Sequence, residues 1–326
     1  MARADHATRP VRGACRLALL RLSEKVGGAI VHEPSSTMIR QAQQKEPAMA
    51  IIERAFIRIA EGQVHLRQTV GSDSDGRLPL VLLHPSPGSS IGLVPLMEAL
   101  VACGAPRLIA LDTLGNGDSA APVPDAPDIA YFADAALRAL TAMGVERFHL
   151  YGALTGARMA CEMAVVAPER IDRLVLEGMG EFSPEWQALL LDRYAPEMAP
   201  HDYGYQLLWA FNFVRDQALH FPYFQRDPDH RLMTRAVPDA DELHMRAVEV
   251  LKALRTYHKS YRAAFPYASK ARLAHVTAPA YFLAAAGDGK AIADQQIYAD
   301  CAQDGRVTQS GMTPTDKAAT IAALIG

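Results

Sequence analysis

From residue 51 onward, short apolar runs alternate with turn residues and helical stretches, and that alternation limits the fold more than any other feature. Ile51 to Ala60 and Gln63 to Val70 alternate in polarity around Glu61-Gly62, the pattern of a hairpin. Leu78 to Leu83 leads to a helix near Ile91 to Cys103, and Arg107 to Leu111 leads through a glycine-rich loop to a helix near Ile129 to Met143. Phe148 to Tyr151 leads to a helix near Gly156 to Ala167, and Leu174 to Leu176 is a further apolar strand. Strands that alternate with helices need crossover connections, which predict a mostly parallel α/β sheet buried on both faces.

The rhythm stops at about Glu181 and resumes at Ala278. The stretch between is helical in pattern and rich in large side chains, among them Trp186, Tyr194, Trp209, Phe211, Phe213 and Phe221. It is too long to be a simple loop. The reading is therefore a core at 51–181 and 278–326, interrupted by a helical insertion at 182–277. Ala280 to Ala286, a helix near Asp294 to Ala302, Arg306 to Gln309 and a helix near Thr315 to Ile325 complete an eight-stranded sheet.

Residues 1–50 stand apart. They carry Arg3, Arg9, Arg12, Arg16 and Arg21, then a polar stretch from Gln41 to Glu46, without a strong amphipathic period. The expectation is a disordered or loosely attached extension, or a chain that naturally starts at Met38 or Met49; a targeting or interaction arm is the alternative. A net charge of -3 with no basic stripe excludes a nucleic-acid partner. Four cysteines, Cys15, Cys103, Cys161 and Cys301, lie far apart, which reads as free thiols in a reducing compartment with no metal site. No apolar run approaches the roughly 20 residues of a membrane helix, and Leu17 to Leu20 is flanked by Arg16 and Arg21, so neither a membrane partner nor a secretory signal is expected. A cytoplasmic protein that uses no cofactor is the resulting expectation.

Four landmarks occur in order. His84-Pro85-Ser86-Pro87-Gly88-Ser89-Ser90 follows the third strand, and Asp112-Thr113-Leu114-Gly115-Asn116-Gly117-Asp118-Ser119 follows the fourth. Gly152-Ala153-Leu154-Thr155-Gly156 follows the fifth, and Ala167-Pro168-Glu169-Arg170-Ile171-Asp172-Arg173 leads into the sixth. The ordered set resembles the α/β-hydrolase superfamily, in its capped branch with haloalkane dehalogenases, epoxide hydrolases and esterases. The resemblance covers roughly residues 51 to 326, and is weakest in the insertion, which it makes a cap.

The resemblance implies a nucleophile elbow, G-x-nucleophile-x-G, at residues 152–156. Gly152 and Gly156 keep the tight turn, but Leu154 stands where the attacking group belongs, and leucine has neither a lone pair to attack with nor a proton to give up. Gly88-Ser89-Ser90-Ile91-Gly92 matches the motif by letter, yet it follows the third strand, where the superfamily places oxyanion donors. The implied general base is a histidine after the last strand; no histidine follows His275, and Met312 or a neighbour takes the place.

Asp288, between two glycines, matches the implied acid, with a turn aspartate as the other reading and Glu177 or Glu181 as substitutes. By the same resemblance, the backbone N–H groups of Ser86 and Thr155 would form an oxyanion hole. His84 could serve as a base or brace its loop, and Asp112 could act or order the loop that begins at Thr113. Trp209 and Phe213 would line the pocket or build the core of the cap, and His220, His230, His244 and His258 are expected to be mostly solvated. The function expected is binding of a small, partly apolar carbonyl compound under a cap, with or without non-standard hydrolase or lyase chemistry. The alternatives are an inactive ligand-binding or interaction protein and a conventional serine esterase.

Overall fold

Three strands without a solvated face set the middle of the molecule. The computed structural model describes residues 51–70, 76–232 and 236–326, so the expectations for residues 1–50 lie outside the described residues. In it, β1 (Ile51–Ile59) and β2 (Gly62–Val70) form the expected hairpin, with Ile59 opposite Gly62. β3 (Leu80–Leu83), β4 (Leu108–Leu111) and β5 (Phe148–Ala153) are buried at every position. Such strands need cover on both sides. They are followed by β6 (Ile171–Glu177), β7 (Ala280–Ala285) and β8 (Gly305–Ser310) in one eight-stranded sheet of order β1-β2-β4-β3-β5-β6-β7-β8. Pairing is antiparallel at β1–β2 and β2–β4 and parallel from there on.

Helices α1 (Val94–Ala102), α2 (Ile129–Ala142) and α3 (Thr155–Val166) fill the first crossovers. Phe132, Leu140, Ala157 and Met163, on α2 and α3, pack over Leu83, Leu150 and Leu176 on one face. On the other, Leu96 and Leu100 of α1 and Ile321 of the last helix meet Leu82, Tyr151 and Val175. Each fully buried side chain of this size contributes roughly 1.5–3 kcal/mol of transfer free energy.

The insertion holds α4 (Pro184–Arg193), α5 (Tyr205–Gln217), α6 (Ala240–Lys252), α7 (Tyr257–Ala264) and α8 (Ser269–Leu273). Its own core gathers Leu190, Tyr194, Phe213, Val250 and Tyr257. Polar ties fasten it to the sheet domain. Arg272 grips Glu162 of α3 at 2.8 and 2.7 Å, the Ser86 and Ser260 hydroxyls lie 2.8 Å apart, and the Thr256 hydroxyl donates to the Gly115 carbonyl.

Two expectations need correction. The helix read near Asp294 to Ala302 is α9 (Gly289–Ala299), because the Asp288 carboxylate caps the Ala291 N–H and starts the helix earlier. His220 and His258 are buried rather than solvated, His220 in a backbone bridge with Arg231 and His258 edge-on to the Tyr257 ring at 5.9 Å, whereas His244 is exposed. The chain ends in α10 (Pro314–Ile325). Cys103, Cys161 and Cys301 are free thiols, and among the described residues no helix is long and apolar enough to cross a membrane.

Candidate active site at the β5–α3 turn

Between the end of β5 and the start of α3 the chain reverses through a single residue. Leu154 has φ 51° and ψ -106°, and among the described residues it is the one non-glycine with positive φ. That conformation costs an L-residue roughly 1–3 kcal/mol, so the neighbourhood must enforce it. A Cβ on Gly152 would overlap the Gly156 carbonyl, and one on Gly156 would overlap the Leu83 carbonyl, so both glycines are fixed by close backbone approach. The Leu154 N–H donates to the Glu177 carbonyl at 2.8 Å. Its side chain is about half exposed and covers Gly178, where a Cβ would collide with Leu154 Cδ2.

Below the turn lies a cation. The buried Arg158 guanidinium donates from Nη1 to the Leu154 carbonyl at 3.0 Å and from Nη2 to the Gly180 carbonyl at 2.6 Å. Burial pulls its pKa down to about 10, which leaves it charged at neutral pH. Above the turn, the Thr155 N–H opens α3, at the positive end of the helix dipole. Neither it nor the Ser86 N–H has an acceptor among the described residues.

The loops after β3 and β4 are locked together. His84 donates from Nδ1 to the Pro85 carbonyl at 2.9 Å, and its Nε2 accepts from the Thr113 N–H at 3.0 Å. Both ring nitrogens are thereby used, and burial lowers the pKa, so the ring is neutral. Asp112 takes His65 Nδ1 at 2.8 Å, the Ser90 N–H at 2.7 Å and the Asp118 N–H at 3.0 Å. Burial alone would raise its pKa, but these hydrogen bonds outweigh it and hold the carboxyl well below the usual range. Ser90 begins a 3₁₀ turn, its hydroxyl buried without a partner among the described residues. His65, Asp112 and Asp118 bring potential metal ligands within 4.8 Å of one another. His65 Nε2 already accepts from Arg54 at 3.0 Å, and Arg54 also pairs with Asp118, so a guanidinium takes the cation's place.

A family model for the alpha/beta hydrolase fold matches residues 79–299. The chain belongs to this family. It is 34% identical over 132 residues to a 2-hydroxy-6-oxononadienedioate/2-hydroxy-6-oxononatrienedioate hydrolase of Paraburkholderia xenovorans, covering 40% of this chain and 45% of that one. It is also 34% identical over 104 residues to a putative carbamate hydrolase of Agrobacterium fabrum, covering 32% and 39%. The matches thus span less than half the length of these curated relatives. Among solved structures, a hydrolase from Pseudomonas aeruginosa superposes with TM-score 0.61 at 20% identity, covering 83% of this chain and 97% of that one. A haloalkane dehalogenase variant from Bradyrhizobium elkanii gives TM-score 0.59 at 17% identity, covering 85% and 97%.

Within this alpha/beta hydrolase fold, the other candidates spread apart. Asp288 is spent as the exposed cap of α9. Met312 lies exposed between β8 and α10. Phe213 is in the insertion core with Trp209 stacked on it at 4.9 Å, and Tyr257 packs against both. Asp216 pairs inside the insertion with Arg215 at 2.9 Å and Arg226 at 2.6 Å. Glu177 lies opposite Ala153 in the sheet, accepting from the Tyr151 hydroxyl and from Lys317 Nζ, each at 2.6 Å. Sequence reading missed Arg158, Tyr151 and Lys317. Arg158 follows Leu154 by one helical turn, which was the available signal; Lys317 meets Glu177 only through the fold.

Proposed function

We propose that this chain binds a small, partly apolar carbonyl compound over Leu154 without forming a covalent intermediate. The observation that carries this reading is the aliphatic side chain at the strained apex of the β5–α3 turn. Ordinarily the fold spends its backbone strain there to present a nucleophile; here the strain is kept and the nucleophile is not. His84 is neutral with both nitrogens engaged, and no histidine follows β8, so neither place supplies an imidazole free to activate water or serine.

Binding survives such losses. The unpaired N–H groups of Ser86 and Thr155 can receive a carbonyl oxygen, and Leu154 supplies an apolar floor. The insertion acts as the cap, and the ligand is a small molecule rather than a nucleic acid or a membrane. That the relative from Paraburkholderia xenovorans is named for hydrolysis of an oxo-dienedioate supports a carbonyl-containing ligand class. Free thiols fit a cytoplasmic setting.

A second reading, water-mediated chemistry without a covalent step, draws on the Tyr151–Glu177–Lys317 cluster beside the turn. One experiment separates the two. The protein is titrated with small ketones and with p-nitrophenyl acetate while thermal stability and ester turnover are followed. Stabilisation that saturates, with turnover at background, is expected. Turnover that Lys317→Met abolishes favours the second reading. If no carbonyl compound stabilises the protein, the proposal fails.

A further inference from the structure

A concavity lies away from the β5–α3 turn. It is a cleft of about 380 Å³ between the loop after β4 and the end of α6, within the range of small-molecule sites, about 300–1,000 Å³. Gly115, Gly117 and Ala121 form its sheet-domain wall, and Leu251, Lys252 and Arg255 belong to the insertion wall. No residue of the turn takes part. The sheet-domain wall is set by two glycines. Gly115 has φ +78°, and a Cβ on it would press on Pro122 and Thr256; a Cβ on Gly117, φ +56°, would overlap the Asp112 carboxylate. Those glycines let the loop sit tightly on its neighbours.

The cations at the cleft differ in how they are paired. Lys252 is matched twice, by Asp118 at 2.8 Å and by Glu249 at 3.2 Å. Arg255 is exposed and has no carboxylate partner among the described residues. The Gly117 N–H also has no acceptor among them. A guanidinium is the group best suited to take a carboxylate or phosphate through paired donors. Leu251 and Ala121 offer apolar surface beside it.

We propose that this cleft is a binding site for a small organic anion, its head on Arg255 and a short apolar body against Leu251 and Ala121. It is separate from the carbonyl site over Leu154 and does not depend on it. Benzoate and inorganic phosphate are the probes, titrated calorimetrically into the full chain. Saturable binding of either probe below about 10 mM is expected. It should fall roughly tenfold or more in Arg255→Ala, fall by less in Arg255→Lys, which keeps the charge but not the paired donors, and vanish in Ala121→Trp, which fills the cleft from an exposed position. A response to benzoate alone makes the head a carboxylate, and a response to phosphate alone makes it a phosphate. Circular dichroism and Tm of each variant are checked against the parent chain. Binding of neither probe, or binding that Arg255→Ala leaves unchanged in a folded protein, overturns the proposal. Ketone stabilisation at the turn is read in the same variants, so failure of one site is distinguishable from failure of the other.

Discussion

The Arg158 guanidinium holds the carbonyl of Leu154 at 3.0 Å and reaches on to the Gly180 carbonyl at 2.6 Å, so one buried cation joins the strained turn to the segment after β6. Hydrogen bonds from a charged donor are worth more than neutral ones, about 1.5–3 kcal/mol each. Without them the Leu154 carbonyl keeps the Ala157 N–H at 3.1 Å and the Gly180 carbonyl keeps the Ser269 hydroxyl at 3.1 Å, so the loss is that of the two charged bonds. Arg158→Leu is therefore expected to lower unfolding free energy by about 3 kcal/mol, measured by urea denaturation. A loss below about 0.5 kcal/mol would show that the turn holds itself.

His84 gives a pH signature. Its folded pKa lies below the ordinary 6.5 because burial disfavours the charged ring, with Asp112 and the Pro85 carbonyl opposing only in part. Above pH 6.5 neither state of the chain takes up this proton, and the bonds of neutral His84 count in full. As pH falls below 6.5, the unfolded chain binds a proton that the folded one refuses, and stability drops. His84→Asn should cost about 1–3 kcal/mol at pH 7.5, and the cost should shrink between pH 7 and pH 5. Urea curves across that range check it; a cost that stays flat or grows as pH falls would contradict the neutral ring.

Asp118 fastens the hairpin and the insertion to the loop after β4, through Arg54 at 2.5 Å and Lys252 at 2.8 Å. It is about one-third exposed, so solvent screens both pairs. Asp118→Asn should cost no more than about 1 kcal/mol at low salt, and less in 1 M salt. Lys252 holds the Asp118 pKa below the ordinary 3.8, so its contribution is present above that value and fades as pH falls below it. Paired urea curves at the two ionic strengths test this. A salt-independent loss above about 2 kcal/mol would mean the carboxylate has a different, buried role.

Supplying a hydroxyl at the turn should not supply catalysis. Leu154→Ser places a serine at φ 51°, but His84 is fully engaged and no histidine follows β8 to take its proton. Hydrolysis of p-nitrophenyl acetate is expected to stay within about tenfold of the parent chain. A rise of a thousandfold or more would reveal a base that the static geometry hides.

Much of this fold was written in local pattern. The buried runs Leu80–Leu83, Leu108–Leu111 and Phe148–Ala153 have no polar face, which left the centre of a parallel sheet as their place. Gly152 and Gly156 marked the turn because only glycine lets β5, α3 and β3 approach so closely. The start of α9 was misread because Asp288 between glycines has the same letters in a turn and in a helix cap. The burial of His220 and His258 is set by how the insertion folds rather than by their neighbours in sequence, and the pairing of Glu177 with Lys317 spans 140 residues. Contacts of that kind have no periodic signature.

The most direct measurement is the intact mass of the wild-type protein after exposure to a fluorophosphonate, which reacts with activated serines. With Leu154 at the apex of the turn and the Ser90 hydroxyl buried, the mass should remain that of the unmodified chain. A stoichiometric adduct on Ser90, or on any other serine, would contradict the account.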